Sequence, residues 1–335
     1  MKDLRFFFPA LAVVVMLTAL DVHGQNWRVR LSKADSLLAD KYNKSSGLDS
    51  SYIVRPATRW TVKGRLNVSG SGISAEGRSS EGHFLTDMDA DFKATASVAV
   101  SYVGVSLGMA LNPGKLSGRY KDYEFNLNSY SNRFGFDVIY QNSQNFKGTY
   151  ESDLQPRINI TTDLLKLQSL NVNVYYAFNH HRFSYPAAFS QSYIQKRSAG
   201  SWLLALSLQG QRTDIEADEE MGTESAKLET MNIGLGGGYG YNFVPSKNWL
   251  FHISALPTFV VYSHASLRYN DEKVPLRYHF PEMVITGRGA VVRQFGKKYF
   301  AGLSLVFTFT NIGDSESLSV QNLKWRHRLF FGYRF

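Results

Sequence analysis

The sequence predicts an all-β fold: a transmembrane, antiparallel, up-and-down β-barrel of about twelve strands, preceded by a signal peptide. Three observations carry this. From Trp60 onward, apolar and polar residues alternate with the period of two that strand side chains have. Aromatic residues make up 14 % of the 335 residues, with 19 Tyr and 23 Phe. Yet no run of about 18 apolar residues follows the N-terminal segment, so the oily surface is spread over alternating positions. Finally, the C-terminal stretch places Leu329, Phe331, Tyr333 and Phe335 on one face, with Arg328, Gly332 and Arg334 between them. An apolar strand that ends on an aromatic is a poor edge for a soluble protein. It suits a barrel-closing strand read by the barrel assembly machinery.

Composition narrows the function classes. The chain contains no Cys, which excludes disulfides, thiolate metal sites, Cys nucleophiles and lipidation of a leading Cys. The formal charge of +9 is read as a cationic lumen with basic rims near anionic lipid, and not as nucleic-acid binding.

Residues 1–24 read as a secretory signal: Lys2 and Arg5 start it, Phe6 to Leu20 is its apolar core, and Val22-His23-Gly24 offers a cleavage site. Residues 25–58 read as a periplasmic lead-in. Leu31, Ala34, Leu37, Leu38 and Tyr42 suggest a short amphipathic helix there, and Pro56 favours an extended exit. Residues 59–335 are the barrel.

Its first strand sets Trp60, Val62, Gly64, Leu66 and Val68 against Thr61, Lys63, Arg65 and Asn67. The second carries Phe92 to Tyr102 on even positions, and the third Val105, Leu107, Met109 and Leu111. The fourth sets Tyr123, Phe125 and Leu127 against Asp122, Glu124, Asn126 and Asn128. The fifth sets Phe134, Phe136, Val138 and Tyr140 against Asp137 and Gln141. Residues 143–168 read as a long loop. The sixth strand runs from Leu170 to Phe178, and residues 179–200 lack clean alternation, as either a long connection or a miscounted strand. The seventh carries Trp202, Leu204, Leu206 and Leu208. The eighth sets Met231, Ile233, Leu235, Tyr239, Tyr241 and Phe243 against Asn232, Gly234, Gly236, Gly238, Gly240 and Asn242. The ninth runs from Trp249 to Val261. The tenth has Glu282, Thr286 and Arg288 inward, and the eleventh starts at Tyr299. The last has Trp325 outward and Lys324, Arg326 and Arg328 inward.

Two regularities support this topology. Connections after even strands, near Gly104, Asn132, Ser246 and Gly296, are short, as periplasmic turns are. Those after odd strands are longer. Trp60, Tyr102, Tyr130, Phe134, Phe178, Trp202, Phe243, Trp249, Tyr299 and Phe335 all fall at the periplasmic end, as an interfacial girdle.

Several segments then carry a family resemblance: Asp35 to Leu38, Asp49 to Pro56, Phe183 to Ser192 and Lys196 to Leu203. These resemble a Bacteroidetes outer-membrane family catalogued as domain of unknown function 4421. The resemblance implies a secreted outer-membrane barrel and no particular activity. It also implies that the irregular segment from Phe183 to Gly200 is a regular feature of such proteins.

The inward face carries the candidate site. The first and last strands of a closed barrel are neighbours, so Lys63, Arg65, Lys324, Arg326 and Arg328 form a basic wall. Asp122, Glu124 and Asp137 form an acidic wall some way round, and the two either face an open lumen or pair across a narrow one. The inward glycines of the eighth strand relieve crowding, or else let a plug or ligand approach the backbone. They are no phosphate loop, because no Lys-Ser/Thr or helix start follows. His252 and Ser254 share an inward face with Asp137 in reach, but no nucleophile turn is present, so no catalytic residue is assigned. His180 and His181 have no further ligand at metal spacing, so no metal or cofactor is expected.

The reading is a monomeric outer-membrane barrel, exported by the general secretion route. Its leading function is a narrow channel for small polar or anionic solutes. The alternatives are a closed structural barrel that docks a partner through its loops or periplasmic face and, more remotely, a hydrolase.

Overall fold

The computed structural model describes residues 47–79, 82–102, 105–111, 123–144, 146–154, 156–160, 165–216, 225–269, 272–274, 282–314 and 318–335. The signal segment, residues 25–46 of the lead-in, Asp122 and the turn at Gly104 lie outside these.

The strands are, in order, β1 (Ile53–Val54), β2 (Trp60–Ser79), β3 (Gly82–Ala90), β4 (Lys93–Tyr102), β5 (Val105–Leu111), β6 (Tyr123–Tyr130), β7 (Phe134–Ser143), β8 (Phe146–Ser152) and β9 (Ile158–Ile160). Then come β10 (Leu165–Ala177), the short helix α1 (Tyr185–Phe189), β11 (Ile194–Gln195), β12 (Ala199–Ile215) and β13 (Ala226–Ser246). The last are β14 (Trp249–Tyr269), β15 (Glu272–Val274), β16 (Met283–Phe295), β17 (Tyr299–Asp314) and β18 (Leu318–Arg334).

Twelve of these form the barrel meander, in the spatial order β5, β4, β2, β18, β17, β16, β14, β13, β12, β10, β7, β6. Every pairing is antiparallel, and the last strand zips onto the first from Leu318↔Gly77 to Arg334↔Thr61. Trp60 and Phe335 exchange backbone hydrogen bonds of 3.1 and 3.0 Å, which ties the two ends of the meander together. Among the described residues β5 and β6 are not paired with each other, so the sheet is not closed there.

The side chains invert the soluble pattern. Trp202 and Ile253 are 69 % and 70 % exposed, and Leu66, Phe134, Leu235, Leu303, Leu329 and Phe331 are exposed with them. Lys63, Asp137, Asn232, Asn242, His252, Arg288 and Arg334 are buried. An apolar band this extensive has no place in water, while hydrocarbon covers it at no cost. Where the side chains are described, the outward and inward sets match those read from the alternation, Tyr130 apart. Phe330 breaks the pattern for a reason: it faces in, opposite Gly302, while Phe300 faces in opposite Gly332. Each ring lies over the glycine of the facing strand, where a Cβ would sit 2.5 or 2.0 Å from it.

Beyond the strands read from the alternation, β3 pairs with the distal half of β2 and with β8. Three expectations are corrected. Residues 143–168 are not a plain loop, since β8 and β9 form a hairpin there and β10 begins at Leu165. Tyr130 does not join the girdle. The odd residues Phe125 and Leu127 of β6 point out, so Tyr130 points in, packed on Tyr175 and Phe189. Residues 179–200 are no miscounted strand: the segment up to Ser198 folds inward, and β12 begins at Ala199.

Candidate functional site

The end of the barrel that carries Trp60 and Phe335 is filled by residues 179–198, between β10 and β12. Such a segment would be too apolar for an exposed turn. Phe183, Tyr185, Ala187, Ala188 and Phe189 are all buried, in one cluster with Tyr175, Leu203, Leu250, Leu256, Phe300 and Phe330 from the walls. Ser184 caps α1, its Oγ accepting from Ala187 N at 3.2 Å, and Pro186 stands in the first turn, where no amide hydrogen is needed. After α1 the chain turns through Gln191, whose φ of 56° lies in the left-handed region that only a held residue adopts.

What holds it is the basic residues of the seam. Lys63 Nζ donates to Ser190 O at 2.5 Å and to Gln191 Oε1 at 2.8 Å. Arg334 donates from one guanidinium nitrogen to Gln191 O at 3.1 Å and from the other to Gln294 Oε1 at 2.7 Å. Its guanidinium carbon stands 4.3 Å from the Phe300 ring centroid. Both cations are almost wholly buried, and their cost is offset because carbonyl and amide oxygens accept their hydrogen bonds.

A second latch starts and ends on the plug. Asn242 Nδ2 donates to Ser184 O at 2.9 Å and Gln195 Oε1 at 3.0 Å, which leaves its Oδ1 to accept. His252 Nδ1 lies 2.7 Å from that oxygen and therefore carries the hydrogen; its Nε2, 3.0 Å from Ser254 Oγ, accepts. Tyr185 OH then donates to Ser254 Oγ at 2.7 Å. The expected partner of His252, Asp137, is engaged elsewhere. Ser254, His252 and Asn242 stand in the order of a nucleophile, base and orienter. All three are buried beneath the Tyr185, Phe183 and Phe189 rings, and Ser254 Oγ already accepts from Tyr185. No substrate reaches that oxygen in this arrangement.

Further in, Asp137 of β7 and Arg288 of β16 form a buried ion pair across the lumen, with Tyr130 OH donating to the same carboxylate. Tyr175, Tyr185 and Phe189 surround the guanidinium at 5.7 to 6.0 Å. Of the acidic wall, Glu124 is placed on β6 opposite Gln141, and Asp137 meets an arginine rather than an open pore. The basic wall is assembled along the seam: Arg328 Nε donates to Asn67 Oδ1 at 2.8 Å, and Arg326 and Arg328 line a cavity of about 30 Å³ with Asp137 and Arg288. Arg65, on β2, stands opposite Phe330 of β18 in register and is half-buried. Lys324 reaches across to Ser169 Oγ on β10 at 2.9 Å, and Asn322 to Gln211 Oε1 on β12 at 3.2 Å. A second cavity, of about 40 Å³, lies beside Lys324 and Arg326. A water needs roughly 10–15 Å³ by this measure, so each holds a few waters.

The outer face of the plug is tied to the lead-in. β1 pairs with β11 through Ile53↔Gln195 and Val54↔Ile194. Arg55 donates to Tyr193 OH at 2.9 Å, and Arg182 Nε to Asp49 Oδ2 at 3.2 Å. The Asp49 carboxyl is held below its usual range by the Ser51 hydroxyl and amide, and further by Arg182. His180 accepts from Arg133 at 3.0 Å on Nε2, so Nδ1 carries the hydrogen that faces Ala177 O at 3.3 Å. Burial, with the His181 and Arg133 charges, pushes its pKa down. Among the described residues no group of His, Asp or Glu has the geometry to hold a metal ion.

The plug is not legible as such in the sequence. Ser184 and Gln191 fall in the Phe183 to Ser192 segment that carries the family resemblance, but nothing in it marks an inward fold, and Gln195 lies in no such segment. The available signal was three aromatics within seven residues of a connection expected to be exposed. The terminal residues Leu329, Phe331, Tyr333 and Phe335 stand on the outer face, Phe335 stacked on Trp60 at 6.4 Å.

The chain is similar in structure to the outer-membrane protease OmpT of Escherichia coli, with a TM-score of 0.47 and 6 % identity over 85 % of this chain and 100 % of that one. It is similar also to the translocator domain of the autotransporter NalP of Neisseria meningitidis, at 0.33 and 10 %, covering 92 % and 98 %. OprG of Pseudomonas aeruginosa gives 0.29 and 10 %, covering 86 % and 99 %. No curated protein matches the chain in sequence. The family described as domain of unknown function (DUF4421) matches residues 47–335, and with the barrel and plug in those same residues, the chain belongs to that family.

Proposed function

We propose that this protein is an outer-membrane barrel kept shut by its own 179–198 segment, with the plugged end facing the periplasm as a docking surface. The observation that carries the reading is that the plug is bonded to opposite walls at once, through Lys63, Arg334, Asn242 and Ser254. The cross-lumen contacts of Lys324 and Asn322 support it from the other half. The exposed side of the plug region presents Arg133, Arg182, Lys196 and Arg197, with Asp49 as the one carboxylate of residues 47–60 and 179–198. That face suits an acidic periplasmic partner.

The test is conductance of the folded protein in a planar bilayer. Silence from inserted protein is expected. Steady anion-selective steps that shrink in Arg326→Ala and Arg328→Ala would replace this reading with a channel lined by the basic wall.

A further inference from the structure

We propose that the terminal rim of β14, β16 and β17 binds the phosphate of an anionic phospholipid, gripped by Arg293 with Lys247, Lys297 and Lys298. Arg293 points outward, on the face that otherwise carries the apolar band, and its Cα lies opposite Trp249. Its guanidinium carbon is 5.0 Å from the Trp249 ring centroid and 4.8 Å from that of Phe295. Trp249 is itself stacked on Phe251, at 5.8 Å and 14°. Rings against a guanidinium satisfy its faces by cation–π attraction and leave its N–H edge directed away from them. That edge is the part that takes two oxygens of a phosphate.

Among the described residues no carboxylate pairs with Arg293, and residues 243–250 and 293–300 contain no Asp or Glu. The turns add charge at the same level. Gln294 N donates to Asn248 O at 2.8 Å, which fixes the Lys247 turn beside Arg293. Arg334 N donates to Lys298 O at 2.8 Å, which fixes the Lys297-Lys298 turn on the other side. All four cations are exposed. A guanidinium on the lipid-facing side of a barrel is tolerated where it reaches the headgroups, and this one stands at the end of its strand, braced by interfacial rings. Deeper along the strands, exposed Phe251, opposite Val291, continues the apolar band where acyl chains lie, which favours a lipid over a free anion. The inference is independent of the plug and its partner.

Native mass spectrometry of the full folded chain, released from mixed phosphatidylglycerol and phosphatidylcholine micelles, tests it. Wild type is expected to retain phosphatidylglycerol preferentially. Arg293→Gln is expected to lower that retention about five-fold, the worth of one cation at an anionic membrane surface. Trp249→Leu should weaken it too, by releasing the brace, with heat-modifiable gel migration checking that both variants fold. Equal retention by wild type and Arg293→Gln would overturn the site. Stripping of the lipid by low-millimolar inorganic phosphate would overturn its assignment to lipid.

Discussion

Single residues carry this interior because they are buried and charged. Asp137 and Arg288 are few per cent exposed, so neither ion is solvated by water. Removing one partner leaves the other charge stranded. Asp137→Asn is therefore expected to destabilise the barrel by about 3–5 kcal/mol, while Asp137→Leu with Arg288→Met recovers most of that. Urea unfolding midpoints of the three proteins in lipid check it; an unchanged midpoint in the single variant would remove the pair from the account. His180 makes the opposite point, as a neutral ring. Its pKa in the fold lies below the ordinary 6.5, so the unfolded chain takes the proton first. Its contribution is full above 6.5 and is lost as pH falls through the ordinary value toward the folded one. Protonation fills the Nε2 lone pair that accepts from Arg133, so the 179–182 turn should loosen as pH drops below about 6.5. Proteolysis of that turn as a function of pH reads this out, and His180→Asn should flatten the profile.

At the scale of elements, the plug is a separate unit held by the walls. α1 has only five residues and no helix of that length persists alone. Its stability comes from burial, above all of Tyr185, which is fully buried. Tyr185→Ala is expected to cost about 3–5 kcal/mol, concentrated in residues 184–195. Hydrogen exchange should quicken there while β13 and β14 stay protected. Uniform loosening of those strands would mean that plug and barrel melt together. The glycines of β13 explain how the wall accommodates all this. A Cβ on Gly238 would sit 1.9 Å from Ala255 O, so this glycine lets β14 approach. One on Gly240 would meet Phe183 at 3.0 Å, so that glycine makes room for the plug. Both readings of the inward series thus hold, each at a different position.

For the whole molecule, the two ends differ. Short turns and both strand termini gather at the plugged end, and the β2–β3 and β8–β9 extensions at the other. If the plugged end is periplasmic, a cysteine placed at exposed Leu154 is labelled by an impermeant maleimide on intact cells. One placed at Arg182 is labelled only after the outer membrane is opened. The native chain has no Cys to confuse the result. The reverse pattern would invert the orientation and move the docking face to the cell surface.

The alternation was enough for the twelve strands of the meander, for the sidedness of the residues it marks where their side chains are described, Tyr130 apart, and for the end at which the rings collect. It could do so because a period of two is local: whichever face meets lipid must be apolar at every second residue. Among the charges it turns inward, Lys63, Asp137, Glu282, Arg288 and Arg334 are buried. It left open whether those charges face a pore, because lumen width depends on how opposite walls approach. The pairing of Asp137 with Arg288 joins residues 151 positions apart. The hold of Lys63 and Arg334 on Ser190 and Gln191 likewise depends on where an irregular segment folds. Such contacts have no period in the sequence and arise only when the fold brings distant segments together.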